Sequence, residues 1–303
     1  MKRLLSLVLF ATLGVAASAE AKIRVVATIP DLAEFARRIG GDLVEVNTLA
    51  TGVEDIHAVP MKPSFAVLLN RADMVVLLGL EAEHAFLPGL LEAARNPKIL
   101  RDAAGYVDCS TYVTVLEVPT RLDRSLGDQH PMGNPHYNLD PVSMKEAARA
   151  MADGFTRNYP EQEGTFKKNL AALLADLDTN IARWEREAAP LKGKKLVSYH
   201  PDLVYFAERF GMQSAGTIEI RAGIDPTPSH IEELIDRMRR EKVDVVVRER
   251  HYPAGLAETV AQRTGAKLVE LPVMVGGVPE ATDYTSLIDY NLHAMLKAVG
   301  GGA

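Results

Sequence analysis

One stretch near the middle of the chain limits the available folds more than any other. Phe166, Leu170, Leu173, Leu174, Leu177, Ile181 and Trp184 recur at spacings of three and four, which lines one face of an α-helix with apolar side chains. Pro160 can open this helix and Pro190 closes it, with no glycine after Gly164. A helix of that length runs about 40 Å, the width of a whole domain. On either side, short β-branched runs alternate with helical patterns, the mark of an α/β fold with mainly parallel sheets. A long crossover helix within one larger sheet is the alternative. Strands resume directly after the helix, which favours a strut between two lobes. The expected organisation is a first α/β lobe over 22–158, a long rigid connecting helix over 160–190, and a second α/β lobe over 191–303. Each sheet should be flanked by helices, and a rigid strut implies small lobe movement.

The first lobe should hold strands at Ile23–Ile29, Val44–Ala50, Met74–Gly79, Lys98–Arg101 and Tyr112–Val118, with helices at Asp31–Ile39, Ser64–Asn70 and Leu87–Arg95. The second should hold strands at Lys195–Tyr199, Ser214–Ile220, Val243–Glu249 and Lys267–Val273. Its helices are expected at Asp202–Phe210, Ile231–Glu241, Gly255–Thr264 and Tyr284–Val299. Ser229 with Glu232 reads as a capping box, and Gly265 as a helix stop.

Residues 1–19 read as an address rather than as structure. Lys2 and Arg3 precede an apolar run from Leu4 to Ala17, and Ala17-Ser18-Ala19 supplies small residues for cleavage;. The run is shorter than the ~20 residues that span a bilayer, and no later run reaches that length. No cysteine follows it, so a lipid anchor is not expected. The mature chain is expected to be exported, periplasmic, monomeric and not inserted in the membrane.

Charge and cysteine content narrow the chemistry. A formal charge of −6 argues against nucleic acid as a partner, since phosphates demand clustered Lys and Arg. One cysteine, Cys109, cannot form an internal disulfide or a Cys-rich zinc site. A transition metal would have to be held by imidazole and carboxylate.

Three of the eight histidines fall where an α/β fold gathers ligands. His57 lies in the loop after strand Val44–Ala50, His200 directly follows Lys195–Tyr199, and His136 precedes a helix that Asp140 can cap and Pro141 can open;. Asp283 stands before the last helix. Three imidazoles and a carboxylate make a tetrahedral Zn²⁺ set, and a cleft between the lobes could collect all four. Position alone leaves blander roles open: a loop histidine is commonly a surface group, and Asp283 is also an N-cap candidate.

A wider pattern adds to this. Gly52-x-Glu54-Asp55-x-His57 with Pro63-Ser64, Ala72-Asp73 with Gly79-Leu80-Glu81, and Asn134-Pro135-His136-Tyr137-x-Leu139-Asp140-Pro141 stand in order along the chain. Ser198-Tyr199-His200, Asp283-Tyr284 and Tyr290-Asn291 complete it. In these features the chain resembles the metal-binding solute-binding proteins of bacterial zinc and manganese ABC importers. The resemblance implies two α/β lobes joined by one long helix, a metal held between them, and delivery to a membrane ABC permease. It assigns His57, His136, His200 and Asp283 as ligands, and histidine rather than glutamate at the third position tilts the metal from Mn²⁺ towards Zn²⁺.

Many zinc-type members carry a long loop rich in His and acidic residues. Here only His84 and His130 lie between His57 and His136. His130 is a candidate secondary contact. Glu249 and His251 follow a strand end and are candidate cleft residues, with Arg248 and Arg250 expected to pair with Glu249. His84, His230 and His293 read as packing or surface residues. A metallochaperone or adhesin remains an alternative. So does a zinc hydrolase with Asp283 or Glu249 as base, although no nucleophile elbow, H-E-x-x-H or phosphate loop supports an enzyme.

Overall fold

The computed structural model describes residues 21–119, 130–220 and 224–300; the expected leader at 1–19 lies outside them. Two four-stranded parallel sheets form the framework. The first orders β2(Val44–Thr48), β1(Ile23–Ala27), β3(Met74–Leu77) and β4(Tyr106–Asp108) side by side. The second orders β6(Gln213–Thr217), β5(Lys195–Ser198), β7(Val245–Glu249) and β8(Lys267–Leu271) in the same way. Register is set by apolar pairs such as Val25 with Val46 and Met74, and Val246 with Val197 and Leu268. Met74 to Leu77 are all buried, as befits a strand covered by helices on both faces. Each sheet reverses its strand order beside its first strand, and that reversal opens a crevice at the carboxyl ends.

Helices α1(Pro30–Gly40), α2(Pro63–Arg71), α3(Leu87–Ala94) and α4(Pro141–Asn158) belong to the first sheet, and α6(Val204–Arg209), α7(Pro228–Glu241) and α8(Ala254–Thr264) to the second. Between the sheets in sequence runs α5(Glu163–Glu187), with 3₁₀ turns at Pro160–Gln162 and Ala189–Leu191 where the prolines stand. Phe166, Leu173, Leu177, Ile181 and Trp184 of its stripe are buried, and Leu170 and Leu174 pack partly buried beside them. Each such side chain contributes on the order of 1.5–3 kcal/mol by leaving water.

Both ends of α5 are pinned by polar contacts as well. Asn169 Nδ2 donates to the Ile39 carbonyl at 3.0 Å, and Arg38 pairs with Asp176 at 2.9 Å. Trp184 Nε1 donates to Asp289 at 2.5 Å on α9(Tyr284–Ala298). Helix α9 also reaches the first lobe. Its Tyr284 stacks edge-on against Phe35 at 5.3 Å and donates its hydroxyl to the Asn138 carbonyl at 2.8 Å.

A second set of bonds joins the lobes beside the cleft. Asp31 accepts the Val275 amide at 3.1 Å, and Asn138 Nδ2 donates to the Val273 carbonyl at 2.8 Å. Gly52, at φ 101°, presses against this strip: a Cβ there would lie 2.1 Å from the Val275 carbonyl oxygen. One apolar core accordingly runs through the first lobe, α5, α9 and the inner edge of the second lobe, while a smaller one sits under α7 and α8.

Three local expectations change. Lys98–Arg101 is not a strand: Pro97–Ile99 forms a 3₁₀ turn, because Asn96 accepts the Lys98 amide and donates to the Leu69 and Ala72 carbonyls. The fourth strand is the three-residue β4, and Tyr112–Val118 is not a strand either; Asp108 instead caps a 3₁₀ turn over Cys109–Tyr112. Helix α7 is capped by Thr227 rather than Ser229. Pro228 lacks an N–H and fits the first helical position, which moves the cap upstream and leaves Glu232 to pair with Arg263 at 2.5 Å. Gly265 ends α8 at φ 78°, as read from the sequence.

Candidate metal centre

The three histidines singled out from sequence meet in the cleft, and each stands at a 3₁₀ turn. His57 lies in Ile56–Ala58, which Asp55 caps by accepting the His57 amide at 2.8 Å. His136 precedes the turn Tyr137–Leu139, and His200 ends the β5 segment before Pro201–Leu203. They are 8%, 3% and 2% exposed. Their ring centres stand 5.0 Å (His57–His136), 5.5 Å (His57–His200) and 5.0 Å (His136–His200) apart. Two imidazoles on one tetrahedral zinc have ring centres about 5 Å apart, given a Zn–N bond of about 2.0–2.1 Å.

The Nδ1 atom of each ring is already committed to an acceptor. His57 Nδ1 donates to the Ala82 carbonyl at 3.1 Å, and His136 Nδ1 to Asn134 Oδ1 at 2.8 Å. His200 Nδ1 donates to Glu219 at 2.9 Å. An Nδ1–H so held leaves the lone pair on Nε2 and fixes the plane of the ring, the arrangement found behind metal-bound histidines. The Nε2 atoms of His57 and His136 then face each other at 2.9 Å, and His200 Nε2 is buried without a partner. Lone pairs turned towards one another in a buried site need a proton or a cation between them.

Sequence elements explain these anchors. Asn134 forms a turn by also accepting the His136 amide at 2.9 Å, and its Nδ2 donates across the cleft to the Pro201 carbonyl at 2.9 Å. Ala82 sits on a turn of three consecutive left-handed residues, Gly79, Leu80 and Glu81, at φ 85°, 52° and 63°. Buried Glu83 holds that turn by accepting the Leu78 and Gly79 amides and the Thr28 hydroxyl at 2.7, 3.2 and 2.6 Å. Gly79 is required there: a Cβ would lie 2.1 Å from Asp108 Oδ1.

His130 joins the cluster as a fourth imidazole. One ring nitrogen from each of His57, His130, His136 and His200 lies within 4.8 Å of all the others. His130 is half-buried, its ring centre 4.8 Å from that of His57, and its Nε2 is buried without a partner. The sequence signal was its place six residues before His136.

Asp283 is not brought to this group. It is exposed, and its carboxylate accepts the Ser286 amide at 2.7 Å and the Ser286 hydroxyl at 2.8 Å in a capping box that starts α9. A carboxylate that does reach the Nε2 side of the rings is Asp202, which sequence reasoning passed over as a helix-start residue. It is 3% exposed, 2.8 Å from His136 Nε2 and 4.0 Å from His200 Nε2. Its signal was the His200-Pro201-Asp202 tripeptide, in which proline stiffens the turn that brings the carboxylate back beside the rings.

Glu249 also departs from expectation. It is fully buried, and Arg248 and Arg250 pair instead with Glu270. Burial, then the nearby Asp202 charge, push its carboxyl well above the usual carboxylate range. His251 lines a cavity of about 10 Å³ with Asp55, His136, Asp202 and Met274.

The local field suits a cation. Burial and the His136 ring lower His57 to about 4, and burial lowers His130 to about 2. Burial alone would lower His200, but Asp202 and Glu219 outweigh it and raise it. Burial works against an ionised Asp202, yet the His136 and His200 rings hold it well below the usual carboxylate range. Buried Asp202 thus stands beside the rings as an anion, a charge that a divalent ion would offset.

Comparison with known proteins bears on the same cleft. Residues 25–298 match the family described as zinc-uptake complex component A, periplasmic. The zinc-binding lipoprotein AdcA of Streptococcus pneumoniae is 23% identical over 91% of this chain, which spans only 56% of AdcA. The manganese ABC transporter substrate-binding lipoprotein scaA of Streptococcus gordonii is 24% identical, with 96% of each chain covered. Among solved structures, a crystal structure of ZnuA superposes with a TM-score of 0.76 at 26% identity, covering 92% of this chain and 99% of the other. Among the described residues no helix is long and apolar enough to cross a membrane.

Proposed function

We propose, from the premise that this chain belongs to the periplasmic zinc-uptake complex component A family, that it captures Zn²⁺ outside the cytoplasm and delivers it to a membrane ABC permease. The observation that carries this reading is the set of three imidazoles anchored through Nδ1, whose Nε2 atoms converge in a buried cleft. His57, His136 and His200 are the ligands in this account, and His130 is the fourth. Asp283 serves as the cap of α9.

Zinc is favoured over manganese by the donor set, since imidazole suits Zn²⁺ and Mn²⁺ prefers more oxygen. Rings whose Nδ1–H is held by an acceptor turn the Nε2 lone pair towards the ion, and the Asp202 charge offsets that of the ion;. A manganese reading draws on Asp202, whose Oδ1 lies near enough to His136 and His200 to supply an oxygen.

Titration of the metal-stripped protein with Zn²⁺ and with Mn²⁺ tests the proposal. One tight zinc equivalent is expected, with manganese at least tenfold weaker, a gap of about 1.4 kcal/mol or more. His57→Ala, His136→Ala and His200→Ala should each weaken zinc. Tighter binding of manganese selects the second reading, and wild-type zinc affinity in all three variants removes the assigned site.

A further inference from the structure

We propose that the small cavity at the lobe junction beside the histidine cluster holds one ordered water, and that His251 acts through this water to position the Asp55 and Asp202 carboxylates. The positioning role rests on the zinc-capture reading; the water site does not. The cavity, of about 10 Å³, takes polar walls from both lobes. Asp55 and His136 come from the first, Asp202 and His251 from the second, and Val273 and Met274 also line it.

Size and chemistry both point to water. One molecule needs about 10–15 Å³ of room and two to four polar partners. His251 Nε2 is buried and has no partner, and a buried ring nitrogen of that kind calls for an ordered water. The carboxylates have capacity to spare. Asp55 Oδ1 accepts the His57 amide at 2.8 Å, and Asp202 Oδ1 stands 2.8 Å from His136 Nε2. A carboxylate offers about four lone-pair sites, so each can also accept from a water. His251 and the two carboxylates do not form a second cation site. Among the described residues, the donor atoms grouped within 4.8 Å of one another belong to His57, His130, His136 and His200.

Each group around the cavity sits on a fixed turn. Asp55 caps the 3₁₀ turn that carries His57, and Asp202 lies in the turn directly after His200. Arg248 Nη1 donates to the Arg250 and Tyr252 carbonyls at 3.3 and 2.6 Å, which clamps the backbone on both sides of His251. The His251 ring rests against Tyr252, with ring centres 4.4 Å apart. A water bridging these groups ties together turns that carry ligands from both lobes, and it does so nearly as well as direct hydrogen bonds would.

The test pairs crystallography with zinc titration of the full chain as wild type, His251→Leu and His251→Gln. Leucine replaces the ring without a polar atom, whereas glutamine keeps an N–H donor. The wild-type crystal should show one water within hydrogen-bond distance of His251 Nε2 and of an Asp55 or Asp202 oxygen. The leucine variant should lack it. Zinc should bind about tenfold or more weakly to His251→Leu, in line with loss of a partner behind a metal site, and within about threefold of wild type to His251→Gln. Rescue by glutamine separates positioning from damage to the fold. No water at that place, an anomalous peak there at the zinc edge, or wild-type zinc affinity in His251→Leu overturns the proposal. So does an equal loss of affinity in both variants. If the wild-type chain binds no zinc tightly, the capture reading itself falls, while the density beside His251 still decides the water site.

Discussion

Removing the carboxylate behind His200 should weaken zinc without touching a ligand. Glu219 accepts from His200 Nδ1 at 2.9 Å, and both side chains are buried, at 5% and 2% exposure. The bond keeps the proton on Nδ1, fixes the ring plane, and places a negative charge one ring away from the ion. Loss of such an outer partner typically costs 10–100-fold in metal affinity, or about 1.4–2.7 kcal/mol. Glu219→Ala removes anchor and charge together and belongs near the upper end. Glu219→Gln keeps an acceptor oxygen, loses the charge and belongs near the lower end. The assay is competition for Zn²⁺ with a chromogenic chelator at pH 7.5. Thermal unfolding supplies a cross-check, because binding to the folded state stabilises it by RT ln(1 + [Zn]/Kd). A 30-fold weaker site loses about 2 kcal/mol of zinc-dependent stabilisation at saturating metal. Zinc affinity within twofold of wild type in both variants, with metal-free stability unchanged, would refute the view that anchored Nδ1 atoms organise this centre.

Other outcomes follow from the same geometry. His57 is lowered to about 4 by burial first and then by His136, so between about pH 4 and 6.5 the unfolded chain carries a proton that the folded chain does not. Metal-free stability should fall as pH drops through that window, by about 3 kcal/mol from this group, and urea unfolding of wild type against His57→Gln isolates it. Burial raises Asp31 to about 7, so there the folded chain holds the extra proton and stability is lost as pH rises from about 4 to 7. Asp31→Asn should flatten that part of the profile in the same unfolding series. Glu83→Ala leaves two buried amides without their acceptor, which costs about 1–3 kcal/mol for each group. It should also weaken zinc through the Ala82 carbonyl, measurable by denaturation and by chelator competition.

The parts of the fold that sequence made legible are those with periodic, physically forced signals. The stripe from Phe166 to Trp184 has one solution, a helix buried along one face. The runs Val44–Thr48, Lys195–Ser198 and Val245–Glu249 are bounded by turn residues and emerged as strands. Short-range competition was harder to read. Asn96 and Pro97 make a turn from a run that looks β-like, because an asparagine side chain satisfies three backbone groups at once. The short β4 has no period to detect.

The centre divides along similar lines. His57, His136 and His200 were legible because each stands at the carboxyl end of a strand or ahead of a helix, where an α/β crevice opens. Asp283 also stood ahead of a helix, and its N-cap role prevailed because Ser286 completes the capping box. Asp202 and Glu219 were hidden because their roles depend on packing across the cleft. Two residues separate Asp202 from His200, but its nearest ring is His136, on the other lobe. Glu219 meets His200 only because β6 lies beside β5.

The most direct test is a crystal structure of the zinc-loaded protein with anomalous data collected on both sides of the zinc absorption edge. One peak is predicted in the cleft, about 2.0–2.1 Å from Nε2 of His57, His136 and His200, with each Nδ1 still held by Ala82, Asn134 and Glu219. A peak at Asp283, or zinc bound through Nδ1 of those rings, would contradict the account.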